Sequence, residues 1–328
     1  MDQAADPVIS FLLRRLAASL LLLFLVLTLT FFLVHAAPGD PTNLVENNRM
    51  TREQRESLRR LYGLDRPLGE QYLVWLKAVA RGDWGVSFSQ QRPVTTAIAD
   101  ALPATLLLSF AALVIDYGVG LLLGVAAARR RGTATDHGIR FASLLLYSQP
   151  PFWLGLMAIL LFAYLWPVLP AGGMHSIDAD LMSPAGRLLD LLRHLLLPAL
   201  VLGFSNTGLT TRFVRGSLLD VMGQDYLRTA RAKGLSERRV IWVHGLRNAI
   251  NPVIQLFALS LPALLSGSLI TEVVFAWPGI GRLIFQAVLS RDYPLVLGVT
   301  AFSATIVILG NLLADVLHAA ADPRVRDA

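Results

Sequence analysis

Few polar side chains in this chain could do chemistry, and none is spaced for making or breaking bonds. The six histidines stand at positions 35, 137, 175, 194, 244 and 318, without the spacing of a metal site. Neither H-E-x-x-H nor the phosphate-cradling G-x-x-x-x-G-K-[ST] occurs, and there is no cysteine. A zinc protease, a nucleotide-hydrolysing loop and thiolate chemistry are therefore not legible here. The chemistry that remains is recognition. Asp116 lies near the middle of an apolar run, where a carboxylate costs about 2.5–3.5 kcal/mol to insert and needs a partner or a cavity. Uncharged polar and small residues recur in other apolar runs: Ser143, Tyr147 and Gln149; Ser205, Asn206, Thr207 and Thr210; Ser266, Gly267, Ser268 and Thr271. Such residues allow close helix packing. As a set they also suit a hydrated path that touches a solute weakly and releases it.

Asp225–Pro252 is a basic segment between two long apolar runs. Asp225 is placed to cap a short helix, Arg231 and Lys233 fall in its last turn where cations suit the helix dipole, and Gly234 supplies a left-handed stop. Ser236 is placed to cap a second helix with Glu237 in its first turn. Ala230 and Ala232, beside these charges, would let another protein approach the backbone, so the segment is expected to be a docking element.

These residues are positioned by an all-α, polytopic membrane protein. Mean hydropathy is +0.55, with 54% hydrophobic and only 16% charged residues, and the apolar residues come in runs rather than in stripes. Six runs reach spanning length: 16–37, 102–128, 141–166, 195–214, 253–275 and 295–317. With both termini cytoplasmic, sixteen Lys and Arg fall on the cytoplasmic side and only Arg187, Arg193, Arg282 and Arg291 in the opposite short loops. This bias accounts for the net charge of +6 without nucleic acid as a partner. Arg14-Arg15 ahead of the first run and Val34-His35-Ala36 near its end have the look of a cleaved signal, but the apolar core exceeds the roughly 7–15 residues of one.

The organisation expected is an N-terminus with a first span (1–37), an extracytoplasmic helical segment (38–101), a core of five spans (102–317) with a cytoplasmic loop at 216–252, and a cytoplasmic C-terminus (318–328). In the outer segment, Thr51 and Gln54 form a capping box for a helix through Leu61 that places Leu58 and Leu61 on one side. A second helix, 70–79, carries Tyr72, Trp75, Leu76 and Val79 on one face and ends at Gly82-Asp83. The expected role of this stripe is to cap the outer ends of the spans. For Asp116 the candidate counter-charge is Arg212. Counted from the outer ends of their runs they lie 14 and 17 residues in, a depth difference of about 5 Å. A partner on another subunit and a protonated acid facing the path are the alternatives.

The segment from Tyr226 to Leu235, Y-L-R-T-A-R-A-K-G-L, followed by L-R-N-A at Leu246–Ala249, resembles the cytoplasmic EAA loop of ATP-binding-cassette importer permeases, in the version of the peptide and nickel importers. Against the general EAA pattern, Ala230 and Gly234 match, whereas Arg228 and Thr229 stand in the E-A places. Three further blocks resemble the same family in order: Tyr62–Leu76 with Gly82–Phe88, Phe275–Val296, and Asp322–Arg326.

The resemblance implies the type I importer permease fold in a bacterial inner membrane. It implies a homologous second permease subunit, two ATPase subunits that bind ATP-Mg, and an extracytoplasmic solute-binding protein, with no cofactor and no catalysis in this chain. The ATPase-coupling residues it assigns are Tyr226, Arg228, Thr229, Ala230, Arg231, Ala232, Lys233, Gly234 and Leu235. Glu272, Trp277, Pro278, Gly279 and Gly281 match a block that forms part of an outer lid. The implied cargo is a di- or oligopeptide, with a nickel chelate as the alternative. A stand-alone secondary transporter would instead show an internal repeat and coupling-ion residues, and only Asp116 speaks for it.

Overall fold

The computed structural model describes residues 7–37, 52–61, 63–265 and 267–321. Thr51, Tyr62, Ser266, Asp322–Arg326 and the capping and stripe positions at Gln54, Leu58 and Leu61 lie outside the residues, or side chains, that it describes. The described chain is helical, with one isolated bridge between Val86 and Pro93. It divides into two compact units, one of residues 1–103 and 279–328, the other of 104–278; α4 (Val94–Arg129) contributes to both.

The first unit contains α1 (Pro7–Ala36), α2 (Arg52–Leu61), α3 (Leu68–Ala80), the start of α4, α13 (Ile280–Leu289) and α14 (Tyr293–Ala321). Helix α1 packs along α14, and α13 folds back on α14. Their core is built from Val94, Ile98, Ile280, Leu283, Leu295 and Val299. Gly298 lets the backbones close up: a Cβ there would collide with Val94. The face of α3 that carries Tyr72 and Trp75 is half-buried against α1. Tyr72 shares a 2.8 Å hydrogen bond with Thr28, and Phe31 lies 5.3 and 5.2 Å from the rings of Tyr72 and Trp75.

Asp292 anchors this unit. It is completely buried, and its Oδ2 accepts from the hydroxyls of Ser87 (2.6 Å) and Ser89 (2.7 Å) and from the Ser89 amide (2.8 Å). Its Oδ1 accepts from the Leu295 amide, capping α14. Two sequence blocks some 200 residues apart, around Ser87 and Asp292, thus meet at one carboxylate.

The second unit holds the rest of α4, α5 (Ala134–Ser148), α6 (Pro151–Ile159) with a π-helical continuation at Leu160–Leu165, and the long α7 (Pro184–Met222). It continues through α8 (Asp225–Ala232), α9 (Glu237–Arg239), a π-helical stretch at Val240–Gly245, α10 (Leu246–Ala249), α11 (Asn251–Leu265) and α12 (Leu269–Val274). Helices α5 and α6 both pack on α7. Glycines set the spacing of α4 and α7. A Cβ at Gly124 would lie 2.6 Å from Val214, at Gly120 2.6 Å from Thr210, and at Gly203 2.8 Å from Ile115.

Four helices are long and apolar enough to cross a membrane: 14–36, 94–129, 184–222 and 293–312. The other two expected runs are not straight spans. The run 141–166 bends by 98° between α5 and α6. Pro150-Pro151 explains it, because neither residue can donate a helical hydrogen bond and each pushes its predecessor towards extended backbone. The run 253–275 is split into α11 and α12, with Gly267 at φ +87° after the break.

Replacing Asp292 with Ala would leave the Ser87, Ser89 and Leu295 donors without their acceptor, and the expected loss is about 2–4 kcal/mol of apparent stability. Asp292→Asn, which keeps one carbonyl oxygen, should lose less. Thermal unfolding of the purified protein in detergent checks this, and an unchanged midpoint in Asp292→Ala would remove the clasp from the stability argument.

Candidate functional site: a docking loop joined to a polar cavity

The docking loop has a buried and an exposed face. Leu227 and Val240 are fully buried and Ala230 is 8% exposed, packed together with Val221 and Leu235. Tyr226, Arg228, Thr229, Ala232, Lys233 and Gly234 are exposed. Ala230 therefore faces the chain's own core, and of the two alanines expected to admit a partner only Ala232 is accessible. Asp225 is the first residue of α8 rather than its cap. Gln224 holds the cap position without a side-chain bond, and Asp225 pairs instead with Arg228 at 3.3 Å. Ser236 stands at the N-cap of α9, but its hydroxyl makes no cap hydrogen bond.

Gly234 takes the expected left-handed conformation, φ +75°, and a Cβ built there meets nothing within 4 Å. Across this turn the Arg231 guanidinium donates to Glu237 at 2.6 Å, fixing α8 against α9. Asn248 donates to the Tyr226 hydroxyl at 2.8 Å, closing the loop from its other end. The second helix of the loop is not uniform: after α9 it loosens into the π-helical stretch Val240–Gly245, which buries Val240, Ile241 and Gly245. Ile241 and Ala249 then join Val125 and Ala128 of α4 and Val214 and Leu218 of α7 in one core cluster.

The same two helices frame a cavity of about 310 Å³. Its polar lining includes Ser109 and Asp116 from α4, Asn206 and Thr210 from α7, Ser260 from α11, and Ser268 beyond the break. Thr210 donates to Asp116 at 2.8 Å, and Tyr117 and Ser260 share a hydrogen bond of 2.8 Å. Asn206 is exposed. The polar residues expected to line a path thus partly converge, while Thr207 and Thr271 are buried at 2% exposure.

The expected Asp116–Arg212 pair does not form. Among the described residues Asp116 takes a hydroxyl partner, and Arg212 points to an exposed groove on the α5 side of α7. Both lie at similar depth, but α7 turns about 100° per residue, so positions 210 and 212 face in quite different directions. The ion pair of this region is one the sequence did not reveal: Arg215 forks onto Asp136 with two bonds of 2.8 Å, and Gly132 donates its amide to the same carboxylate. The available signal was Asp136 in the first turn of α5, beside a run of arginines.

The lid block is also more buried than an interfacial anchor would be. Trp277 is fully buried among Ala104, Leu108, Leu195 and Ala199, with its indole N–H donating to the Ala104 carbonyl at 2.8 Å. Glu272 is fully buried and accepts from the Thr105 hydroxyl at 3.0 Å. Gly172 lies directly against the Phe275 carbonyl, and the Gly173 amide donates to it at 2.8 Å. Pro278 is exposed. In the other unit Gly279 precedes α13, its carbonyl accepting from the Leu283 amide, and Gly281 is buried.

Comparison with known proteins agrees with this architecture. The family model "Binding-protein-dependent transport system inner membrane component" matches residues 120–327, and its N-terminal companion, "Binding-prot-dependent transport system membrane comp, N-term", matches residues 8–109. The di/tripeptide transport system permease protein DppB of Pseudomonas aeruginosa is 42% identical over 97% of this chain and 99% of its own length. The oligopeptide transport system permease protein AppB of Bacillus subtilis is 38% identical over 96% and 99%, and the dipeptide transport system permease protein DppB of Escherichia coli 38% over 97% and 99%. With an all-helical fold, near-complete coverage and both family models matched, this chain belongs to the binding-protein-dependent transport system inner membrane components and is a permease with the type I ABC importer fold.

Proposed function

We propose that this chain forms half of the translocation path of an ATP-driven importer for di- or oligopeptides. It pairs with a homologous permease, receives solute from an extracytoplasmic binding protein, and is driven by two ATPases that bind ATP-Mg. The observation that carries the reading is mechanical. The exposed α8–Gly234–α9 surface is joined by Leu227, Val240 and Ile241 to α7 and α4, the helices that line the Asp116 cavity. A force applied to the loop has a packed route to the cavity, with no soft segment between. The peptide cargo rests on the relatives named for peptide transport.

In this reading both termini and the 216–252 loop are cytoplasmic, six segments cross the membrane, and residues 38–101 face outward. The buried Glu272 and Trp277 hold the outer break in shape, so that Pro278 and the glycines around it act as part of a lid. Asp116, Asn206 and Thr210 give the path weak polar contacts. Neutral hydrogen bonds of about 0.5–1.5 kcal/mol each suit a site that must bind and let go.

Three outcomes follow. Reporter fusions after Arg131 and Gln224 should read cytoplasmic and one after Gly173 external; an external signal at Gln224 would end the docking argument. Gly234→Asp has open space for its side chain, and Asp tolerates left-handed backbone better than most residues. It should leave the protein inserted yet abolish peptide uptake or release the ATPases, read as uptake, ATPase activity and copurification. Normal uptake with a full ATPase complement would show that the coupling element lies elsewhere. Asp116→Asn keeps an acceptor for Thr210 and should leave subunit abundance near normal, whereas Asp116→Leu should cut uptake several-fold. Because Asp116 and Arg212 are not partners, the abundance effects of Asp116→Asn and Arg212→Gln should simply add in the double variant. Recovery in that double variant would restore the ion pair.

A further inference from the structure

Helices α5 and α7 enclose a second cavity, of about 540 Å³, at the basic ends of their apolar runs. On α5 its wall is His137, Arg140, Phe141 and Leu144; on α7 it is Gly208, Thr211, Arg212 and Arg215. Each set follows the i, i+3, i+4, i+7 spacing of one helix face, so the cavity is a groove running along the seam of two packed helices. It is lined by three arginines and a histidine, while the one neighbouring carboxylate, Asp136, is already engaged by Arg215. Arg140 and Arg212 are exposed and make no ion pair among the described residues.

Two independent features show that the groove is built to receive a polar ligand. Ser143 and Thr211 are 8% and 2% exposed, both line the cavity, and both hydroxyls lack a hydrogen-bond partner there. Buried hydroxyls are ordinarily satisfied, and two orphans on one cavity wall mark donors awaiting an acceptor. Towards the apolar part of the runs the groove is flanked by Phe141 and Leu144, 68% and 54% exposed. Cationic head, hydroxyl donors and apolar flank follow one another along a single line.

We propose that this groove binds the phosphodiester headgroup of an anionic phospholipid, with Arg140 and Arg212 on the phosphate, Ser143 and Thr211 donating to its oxygens, and an acyl chain along Phe141 and Leu144. The proposal rests on α5 and α7 entering the bilayer, as in the functional reading, but not on the cargo or on which face is cytoplasmic. Basic pockets between spanning helices are a recurrent site for anionic headgroups, and arginine matches phosphate geometry better than lysine.

The test uses the intact transporter, purified and exchanged into nanodiscs of phosphatidylethanolamine containing phosphatidylglycerol or phosphatidylcholine, with retained lipid counted by native mass spectrometry. The wild type should retain phosphatidylglycerol in preference to phosphatidylcholine, and Arg140→Gln with Arg212→Gln should weaken retention by about 30-fold, near one kcal/mol for each cation removed. Arg140→Lys with Arg212→Lys should fold equally well and retain most of the lipid, and Thr211→Val should show a smaller loss with both arginines present. Equal retention of the two lipids by the wild type, or undiminished retention by the double Gln variant, overturns the proposal. So does displacement of the lipid by inorganic phosphate at the same phosphate concentration, which would mark a free-anion site. Because the chain has no cysteine, Leu144→Cys gives a single thiol. Its labelling by a membrane-soluble maleimide in the assembled transporter supports a lipid-facing groove, and full protection would assign the groove to another subunit. Lost peptide uptake with normal lipid retention would count against the functional reading alone.

Discussion

The close approach of α4 to α7 is the constraint on which the second unit depends. Lipid tails are as apolar as leucine, so two helices in a bilayer gain little from hiding apolar surface against each other, and they associate through van der Waals fit and polar contacts. Gly120, Gly124 and Gly203 supply that fit by letting one backbone sit against Thr210, Val214 and Ile115 of the other. At one end of the contact the two helices take up the docking loop through Ile241 and Ala249. Further along they present Asp116 and Thr210 to each other at 2.8 Å. A longer side chain at any of these glycines would separate both ends at once.

Polar groups in the spans are handled by three kinds of partner. Hydroxyls such as those of Ser205, Thr207 and Thr305 return to carbonyls four residues back on their own helix. Asp116 and Glu272 receive hydroxyl donors from neighbouring helices. The fully formed ion pair, Arg215 with Asp136, is kept at the basic ends of the runs, where water and headgroups lower the cost of charge. That gradation, from neutral contacts within the apolar runs to an ion pair at their edge, is what a conduit for a polar solute requires, since a strong charge pair across the path would hold the solute in place.

Much of this was legible in the sequence because hydropathy and helix punctuation are local. Gly234 announced its left-handed turn, the stripe of Tyr72 and Trp75 announced its packing, and four of the six runs are continuous helices. What escaped was set by rotation and by long-range register. Depth counting placed Asp116 beside Arg212 but carried no information on azimuth, and two residues of α7 separate the true partner from the expected one. The Asp292 clasp joins positions some 200 residues apart, and the burial of Ala230 and Trp277 depends on surroundings that no local pattern encodes. Pro150-Pro151 and Gly267 were visible as breakers, but not how far each bends or divides its run.

The π-helical stretch at Val240–Gly245 carries a consequence for how this chain tolerates changes of length. Its i→i+5 bonding accommodates a residue beyond what an α-helix of the same rise would hold. Deleting one residue there would let the stretch relax to α-helix, and everything downstream would turn by about 100° relative to the docking loop. The hydroxyl of Ser260 would then swing away from Tyr117, 2.8 Å distant in the native register. The number of residues between Gly234 and α11 is therefore a phase angle as much as a length. Evolutionary insertions and deletions should be excluded from this segment while the loop between α6 and α7, which sets no helix phase, remains free to vary.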